Sequence, residues 1–363
     1  MAADRFDQHT KTPDGISLST AVKATSPLGM SKAPQGYVIW ATLGAFWFLF
    51  QMYVWGRWIC GPYFVPADPG PDSISPAMQN YLFWAQVIVP LLCLTCLWYW
   101  IVTPWRRERR LNSDAMIVIA TTTVWFWDFS PSYIVDQVLY NSHLFNRGSW
   151  GLYAWPGWVS PGGHLLPEPL LFVPPAYIVL VLSQVMVVCW MLRKIKERRP
   201  NTGVATFIAA IIAGLFLVDS MVEMSVLRTG LYAYPAAIRA FSLFPGSTYQ
   251  FPLSEGILFG GFGLGSIAIL KFFKDDRGRT FVEKGIDTLR ISEARRQMLR
   301  LLAIYGWIHT AFFVLYMMPA TFVAVNGDDY PKGYPSYLIN GMCLYGEHHD
   351  LCPGPGISIP RPK

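Results

Sequence analysis

Charge is what this chain has least of. Asp, Glu, Lys and Arg make up 14% of its 363 residues and hydrophobic residues 53%, whereas a typical soluble protein is about 25% charged. An ordinary soluble domain of this length is excluded. Histidine and cysteine, six of each, are too few and too scattered for the clustered ligands of a membrane di-iron enzyme. The sequence contains no HExxH, GxxxxGKS/T, GxSxG or GxGxxG, so zinc protease, phosphate-loop ATPase, serine hydrolase and dinucleotide-binding readings have no signature to stand on. The last apolar run holds His309 but no lysine, which removes the attachment point of a rhodopsin-type retinal Schiff base. The first 35 residues lack the short apolar core and small-residue cleavage site of a signal peptide.

The chain does contain a series of apolar stretches of roughly 20 residues, each long enough to cross about 30 Å of hydrocarbon. They fall near 36–59, 80–103, 115–140, 169–192, 203–227, 253–273 and 299–324. The expected fold is an all-α membrane protein, a seven-transmembrane helix bundle with its N-terminus cytoplasmic and its C-terminus outside, in the cell membrane. Residues 1–35 are expected to form a disordered cytoplasmic arm, 36–324 the membrane domain and 325–363 an extracytoplasmic tail.

Basic residues set the orientation, because cytoplasmic connections retain Lys and Arg. The N-terminal arm, WRRERR at 105–110, RKIKERR at 193–199 and the segment from Lys271 to Arg300 hold 22 of the 29 basic residues. An odd number of spans places all of them on one side. Each basic run abuts an apolar span and none is interleaved with exposed aromatics, so the net charge of +6 describes a rim facing anionic lipid, not a nucleic-acid surface. The partners expected are the bilayer and a hydrophobic small molecule, with no nucleic acid; oligomeric state is not legible. Residues 281–298 read as an amphipathic helix at that rim, and the aromatics of YVIWATLGAFWFLF and CLWYWIVTPW as interfacial belts. Glycines of GGFGLG, 260–265, lie inside a span, where they permit close helix packing.

Acids inside spans carry the functional signal, since a carboxylate in hydrocarbon is costly and kept for function or pairing. At 1.5 Å per residue Asp128 lies roughly 18 Å into the third span and Asp136 near its outer end. Asp219 and Glu223 lie roughly 22 and 28 Å along the fifth, and Glu255 falls in the first turn of the sixth. All five are placed to share one outer cavity. Asp219 and Glu223, four residues apart, stand on one helix face, so one is expected to be protonated while another acid stays ionised. The alternative is plain ion pairing with Arg228 or Arg239. Asp128 sits in WFWDFSPSYIVD, where Pro131 interrupts the helical ladder, a feature of cavity-lining segments.

The connection YNSHLFNRGSWGLYAWPGWVSPGGHLLPEPLLF brings Asn141, His143, Asn146, Arg147, His164 and Glu168 and has the Pro, Gly and Trp content of an ordered lid; an ordinary outer loop with solvated histidines is the competing reading. Cys93, Cys96 and Cys189 lie in spans as packing residues. Cys343 and Cys352 share the outer tail, where a disulfide is permitted and either state is open. EHHD at 347–350 reads as solvated tail; no metal site is assigned.

These blocks, WFWDFSPSYIVD, YNSHLFNRGSW, GWVSPGGHLLPEPLLF and GLYAYPAAIRAFSLFPGSTYQFPLSEG, resemble the AveC-type spirocyclase family of bacterial membrane proteins. The resemblance implies a membrane enzyme that forms spiroketals from polyketide chains, sometimes with dehydration, and the acid cluster suits that chemistry without redox cofactor or metal. Under that resemblance Asp219 or Glu223 is the acid and Asp128 the charge-stabilising base, with Glu255, Asp136 and His143 in support. The alternative from another class is a proton-coupled transporter or small-molecule receptor using the same acids, although no inverted repeat is evident.

Overall fold

Side-chain caps open two of the helices. The Ser75 hydroxyl accepts from the Met78 amide at 3.2 Å ahead of Pro76, whose missing N–H is harmless in a first turn. Asn112 accepts from Ala115 in the same way at 2.9 Å. The structure is a computed structural model and describes residues 36–62, 64–128, 137–150, 154–156, 166–328, 331 and 333–339. The principal helices are α1 (Gly36–Ile59), α2 (Pro76–Glu108), α3 (Ser113–Thr121), α4 (Val173–Arg198), α5 (Val204–Leu227), α6 (Leu253–Phe272) and α7 (Glu293–Val325). Apart from α3, these helices, six in all, are long and apolar enough to cross a membrane.

The expected third span is therefore corrected: 115–140 is not one continuous helix. Three successive threonines end α3 by turning their hydroxyls onto carbonyls, Thr121 onto Ile117 at 2.8 Å, Thr122 onto Ile119 at 2.6 Å and Thr123 onto Ala120 at 3.1 Å. Such back-bonding competes with the helical ladder, and the chain tightens into a 3-10 turn, Val124–Trp127, that Asp128 caps. The rim helix expected over 281–298 is also absent. Thr280 and Glu283 form a capping box around a single turn, Gly285 takes a left-handed φ of 96°, and α7 starts only at Glu293. The aromatics divide: Trp98 and Tyr99 are exposed, as a belt requires, whereas Trp47, Trp58, Trp127 and Trp150 are buried against one another and form core.

Close approach of α1 and α7 rests on glycine. Gly44 abuts the Leu302 carbonyl, Gly306 abuts the Trp40 carbonyl, and a Cβ at either position would overlap backbone. Trp47 then reaches Thr310 at 2.9 Å and Gln51 reaches His309 at 2.9 Å, so the two helices run in the same direction. Gly306→Ala is expected to force them apart and lower stability by about 1–3 kcal/mol, read as a fall in unfolding temperature in detergent; an unchanged temperature would rule out the tight crossing.

Antiparallel contacts join α4 to α5, with Gln184 at Asp219 and Val188 at Gly214, and α5 to α6, with Ser220 at Gly256 and Ile212 at Gly261. At the basic end, Lys271 and Lys274 clasp Asp114 at 2.8 and 2.7 Å, and buried Arg300 meets buried Glu283 at 2.6 Å. At the opposite end, β1 (Leu139–Tyr140) pairs with β2 (Tyr232–Ala233), setting Tyr140 opposite Tyr232. A second ribbon, β3 (Ser242–Leu243) with β4 (Phe251–Pro252), leads directly into α6.

Candidate active site

Four carboxyl groups line one cavity of about 80 Å³: Asp128, Asp219, Glu223 and Glu255. Three local devices deliver them. Asp128 caps the 3-10 turn that succeeds the threonine run. Asp219 and Glu223 lie one turn apart on α5, and Glu255 lies in the first turn of α6, positioned by the β3–β4 ribbon. Apolar residues of α4 and α5, among them Val173, Leu180, Val181, Val222 and Val226, complete the wall.

Hydrogen bonds distinguish the four. Asp128 accepts two phenolic hydroxyls, Tyr140 at 2.6 Å on Oδ2 and Tyr177 at 2.9 Å on Oδ1. Glu223 accepts from Tyr234 at 2.7 Å, and Glu255 from Gln137 at 2.6 Å. Gln184 donates to Asp219 Oδ1 at 3.2 Å, while Asp219 Oδ2 is buried without a partner among the described residues. That oxygen lies against Gly260, where a Cβ would stand 2.7 Å away. Glu223 is half-buried and the other three are buried. Among the described residues no ion pair includes any of the four. Arg228, the pairing candidate nearest in sequence, lies instead over the rings of Phe244 and Tyr249. No three His, Cys, Asp or Glu side chains among the described residues converge closely enough to hold a metal ion.

The lid residues have other work. Asn141 is buried, donates to the Gly230 carbonyl at 3.1 Å and accepts from the His143 amide at 3.0 Å. Asn146 accepts from the Ala67 amide at 2.9 Å and donates to the Ser142 and Leu144 carbonyls. The Arg147 carbonyl accepts from Trp58, and its guanidinium lies over Phe145. His143 is exposed and packs on Tyr337 away from the cavity, which corrects its expected place beside the acids: the Asn141 turn points it outward. Glu168 is fully buried, and neither carboxyl oxygen has a partner among the described residues. Burial, with the Asp128 charge in addition, pushes its carboxyl well above the usual range, a shift toward the neutral form. Asp136, His164, Cys343 and Cys352 lie outside the described residues.

Five tyrosines escape a reading of the sequence, namely Tyr140, Tyr177, Tyr232, Tyr234 and Tyr316, all of which line the cavity. Tyr232 and Tyr234 carry a signal, since alternate residues of an extended segment share a face. Tyr177 and Tyr316 sit in π-helical turns, where straight helical periodicity misplaces side chains. Behind the cavity lies a second buried cluster. Trp127 donates to His309 Nδ1 at 2.9 Å, which makes that nitrogen an acceptor and leaves Nε2 to donate to Thr123 or the Ala120 carbonyl.

No curated protein and no solved structure matches the chain. A family model described as Spirocyclase AveC-like matches residues 108–339, a range that includes every residue lining the cavity. By that match over more than half its length, the chain belongs to the AveC-like spirocyclase family.

Proposed function

We propose that this protein is a membrane-embedded cyclase that closes a hydrophobic, polyketide-like hydroxy-ketone to a spiroketal by carboxylate acid–base catalysis. The observation that supports it is the convergence of four carboxyls and five phenols on one cavity that is otherwise apolar but for Gln184 in a chain of the spirocyclase family. The cavity is smaller than the about 300 Å³ at the low end of small-molecule sites. It suits the reacting carbon and its oxygens, with the remainder of the substrate chain lying outside.

In the proposed sequence one hydroxyl adds to the ketone to give a hemiketal. A protonated carboxyl donates its proton to the hemiketal hydroxyl, the C–O bond breaks and water leaves, and an oxocarbenium ion forms. The second hydroxyl then attacks that carbon and its proton passes to a carboxylate, so one water is lost and the borrowed proton is restored. Asp128, with two phenols donating to it, suits the ionised group that faces the cation. Glu223 suits the acid better than Asp219, because it is the half-buried one while the unpartnered oxygen of Asp219 is packed against Gly260. Glu255 and the tyrosines orient the chain. Gly260→Ala is expected to displace Asp219 from Gln184 and lower kcat by about 100-fold, the cost of a misplacement near 1 Å; kinetics with reconstituted protein checks this.

Seven crossings of the cell membrane belong to the same reading. The contacts of Gln184 and Val188 of α4 with Asp219 and Gly214 of α5 support alternating directions, and a crossing between α2 and α4 would carry the chain from the basic end at Ser113 to the carboxylate end at Leu139. We assign that third crossing to the segment that α3 and its 3-10 turn begin, with the basic end and the N-terminus cytoplasmic.

The test is deletion of the gene in its own host, with lipid-extractable metabolites compared by mass spectrometry. Accumulation of an isomeric precursor, or one heavier by one water, that wild type rescues and the Asp219→Asn, Glu223→Gln variant does not is the expected outcome. An unchanged metabolite pool with altered uptake of a small molecule would replace the cyclase with a transporter.

A further inference from the structure

Burial is unequal around the cavity. At its outer end the described lining is covered: Tyr140 and Tyr232 face each other across the β1–β2 pair with ring centroids 5.6 Å apart, and both are buried, as are Val138, Phe172 and Tyr234. Four described lining residues remain partly exposed, namely Leu180 of α4 and Val222, Glu223 and Val226 of α5. All four belong to the seam between two antiparallel neighbours. Those helices meet closely where Val188 touches Gly214 and where Gln184 reaches Asp219; the partly exposed residues lie beyond that level. On α4 the π turn Tyr177–Leu182 turns Tyr177 into the cavity and leaves Leu180 at the rim. On α5, Val222 to Val226 lie within roughly 8 Å of the helix end at Leu227, at 1.5 Å per residue, and so still inside an apolar span. The outward faces of the two helices carry exposed Val187, Leu217 and Met221. What borders the seam is therefore lipid.

We propose that this seam is the entrance to the site, and that the substrate is an amphiphile dissolved in the bilayer, whose ring-forming end passes between α4 and α5 while its alkyl chain stays in lipid. The inference rests on the cyclase reading and adds the phase from which the substrate comes. A cavity of about 80 Å³ holds the reacting carbon and its oxygens, and a chain left in hydrocarbon needs no transfer through water. Entry past the β1–β2 pair would instead require the buried tyrosines to part. Glu223, held by Tyr234 at 2.7 Å, is then the first polar group that the incoming hydroxyls meet, and a carboxyl at this depth has few other reasons to stand at a rim. Ring closure consumes the ketone and both hydroxyls and releases water, so the product is less polar than the substrate and returns to lipid by the same path.

The experiment uses full-length protein in phosphatidylcholine nanodiscs and one synthetic probe, a dihydroxy-ketone whose alkyl chain carries a diazirine close to the ketone. After illumination the labelled peptides are mapped by mass spectrometry, and only labelling that an excess of the diazirine-free analogue suppresses is counted; turnover of the probe is measured in parallel. The expected result is suppressible labelling within 180–187 and 217–226. Leu180→Trp and Val226→Trp, which fill the seam, are each expected to raise KM at least about ten-fold with a smaller change in kcat, whereas Leu217→Trp, on the exposed face of α5, changes neither. Suppressible labelling at the seam without turnover would keep the entrance and remove the cyclase reading. Turnover without that labelling, or with a KM that both seam variants leave unmoved, would overturn the entrance and leave the cyclase standing. Neither suppressible labelling nor turnover would overturn both.

Discussion

Asp128→Asn is expected to reduce spiroketal formation by about 10³-fold, within the 10²–10⁴ range of acid–base and charge-stabilising groups, while the protein still assembles. The reason lies in the two phenols. A carboxylate accepts from Tyr140 at 2.6 Å and from Tyr177 at 2.9 Å at once, but an amide offers one acceptor oxygen and a nitrogen that must donate. One tyrosine would have to reverse its hydroxyl, and the charge that faces the cation would be gone. Tyr140→Phe and Tyr177→Phe, which each remove one donor and keep the charge, are expected to cost less than Asp128→Asn. Turnover of Asp128→Asn within ten-fold of wild type, measured at equal amounts of folded protein, would take Asp128 out of the reaction.

The largest effect on stability is expected at the other end of the bundle. Arg300 donates to Glu283 Oε1 at 2.6 Å, to the Leu111 carbonyl and to the Ser113 hydroxyl. Glu283 Oε2 accepts from Ser113 and from both the amide and hydroxyl of Thr280, all at 2.8 Å. Each partner of the ion pair is about 1% exposed, so Arg300→Met leaves a carboxylate buried without its charge partner. Breaking such a pair costs about 3–5 kcal/mol. Denaturant titration of the detergent-solubilised protein is expected to show this loss, and Arg300→Met combined with Glu283→Leu is expected to recover much of it. A single variant as stable as wild type would place the network in water.

Much of this architecture is legible in the sequence. Scarce charge and long apolar runs announce the six long helices, and the acids in WFWDFSPSYIVD and LVDSMVEM announce a site because charge in an apolar segment has few other reasons to exist. The break within 115–140 is hidden because mean apolarity is blind to hydroxyl back-bonding at Thr121, Thr122 and Thr123. The outward direction of His143 is hidden too, because sequence distance from Asp128 says nothing of the turn that Asn141 builds. Tyrosines at span ends look like interface anchors, yet Tyr177 and Tyr316 face inward. Their orientation depends on local helix widening, which apolar and aromatic residues adopt without a sequence mark.

That widening recurs, at Trp98–Val102 of α2, Tyr177–Leu182 of α4, Gly256–Leu264 of α6 and Phe312–Met317 of α7. A π turn holds one residue more than an α turn, so the residues beyond it are rotated by about 100° from where an unbroken helix would put them. The two ends of such a span are thus phased separately. In α6 the half bearing Glu255 can face the cavity while the half bearing Lys271 keeps its grip on Asp114. Removal of a single residue between them would leave the span's length and apolarity nearly unchanged and still turn one of those two side chains away from its partner.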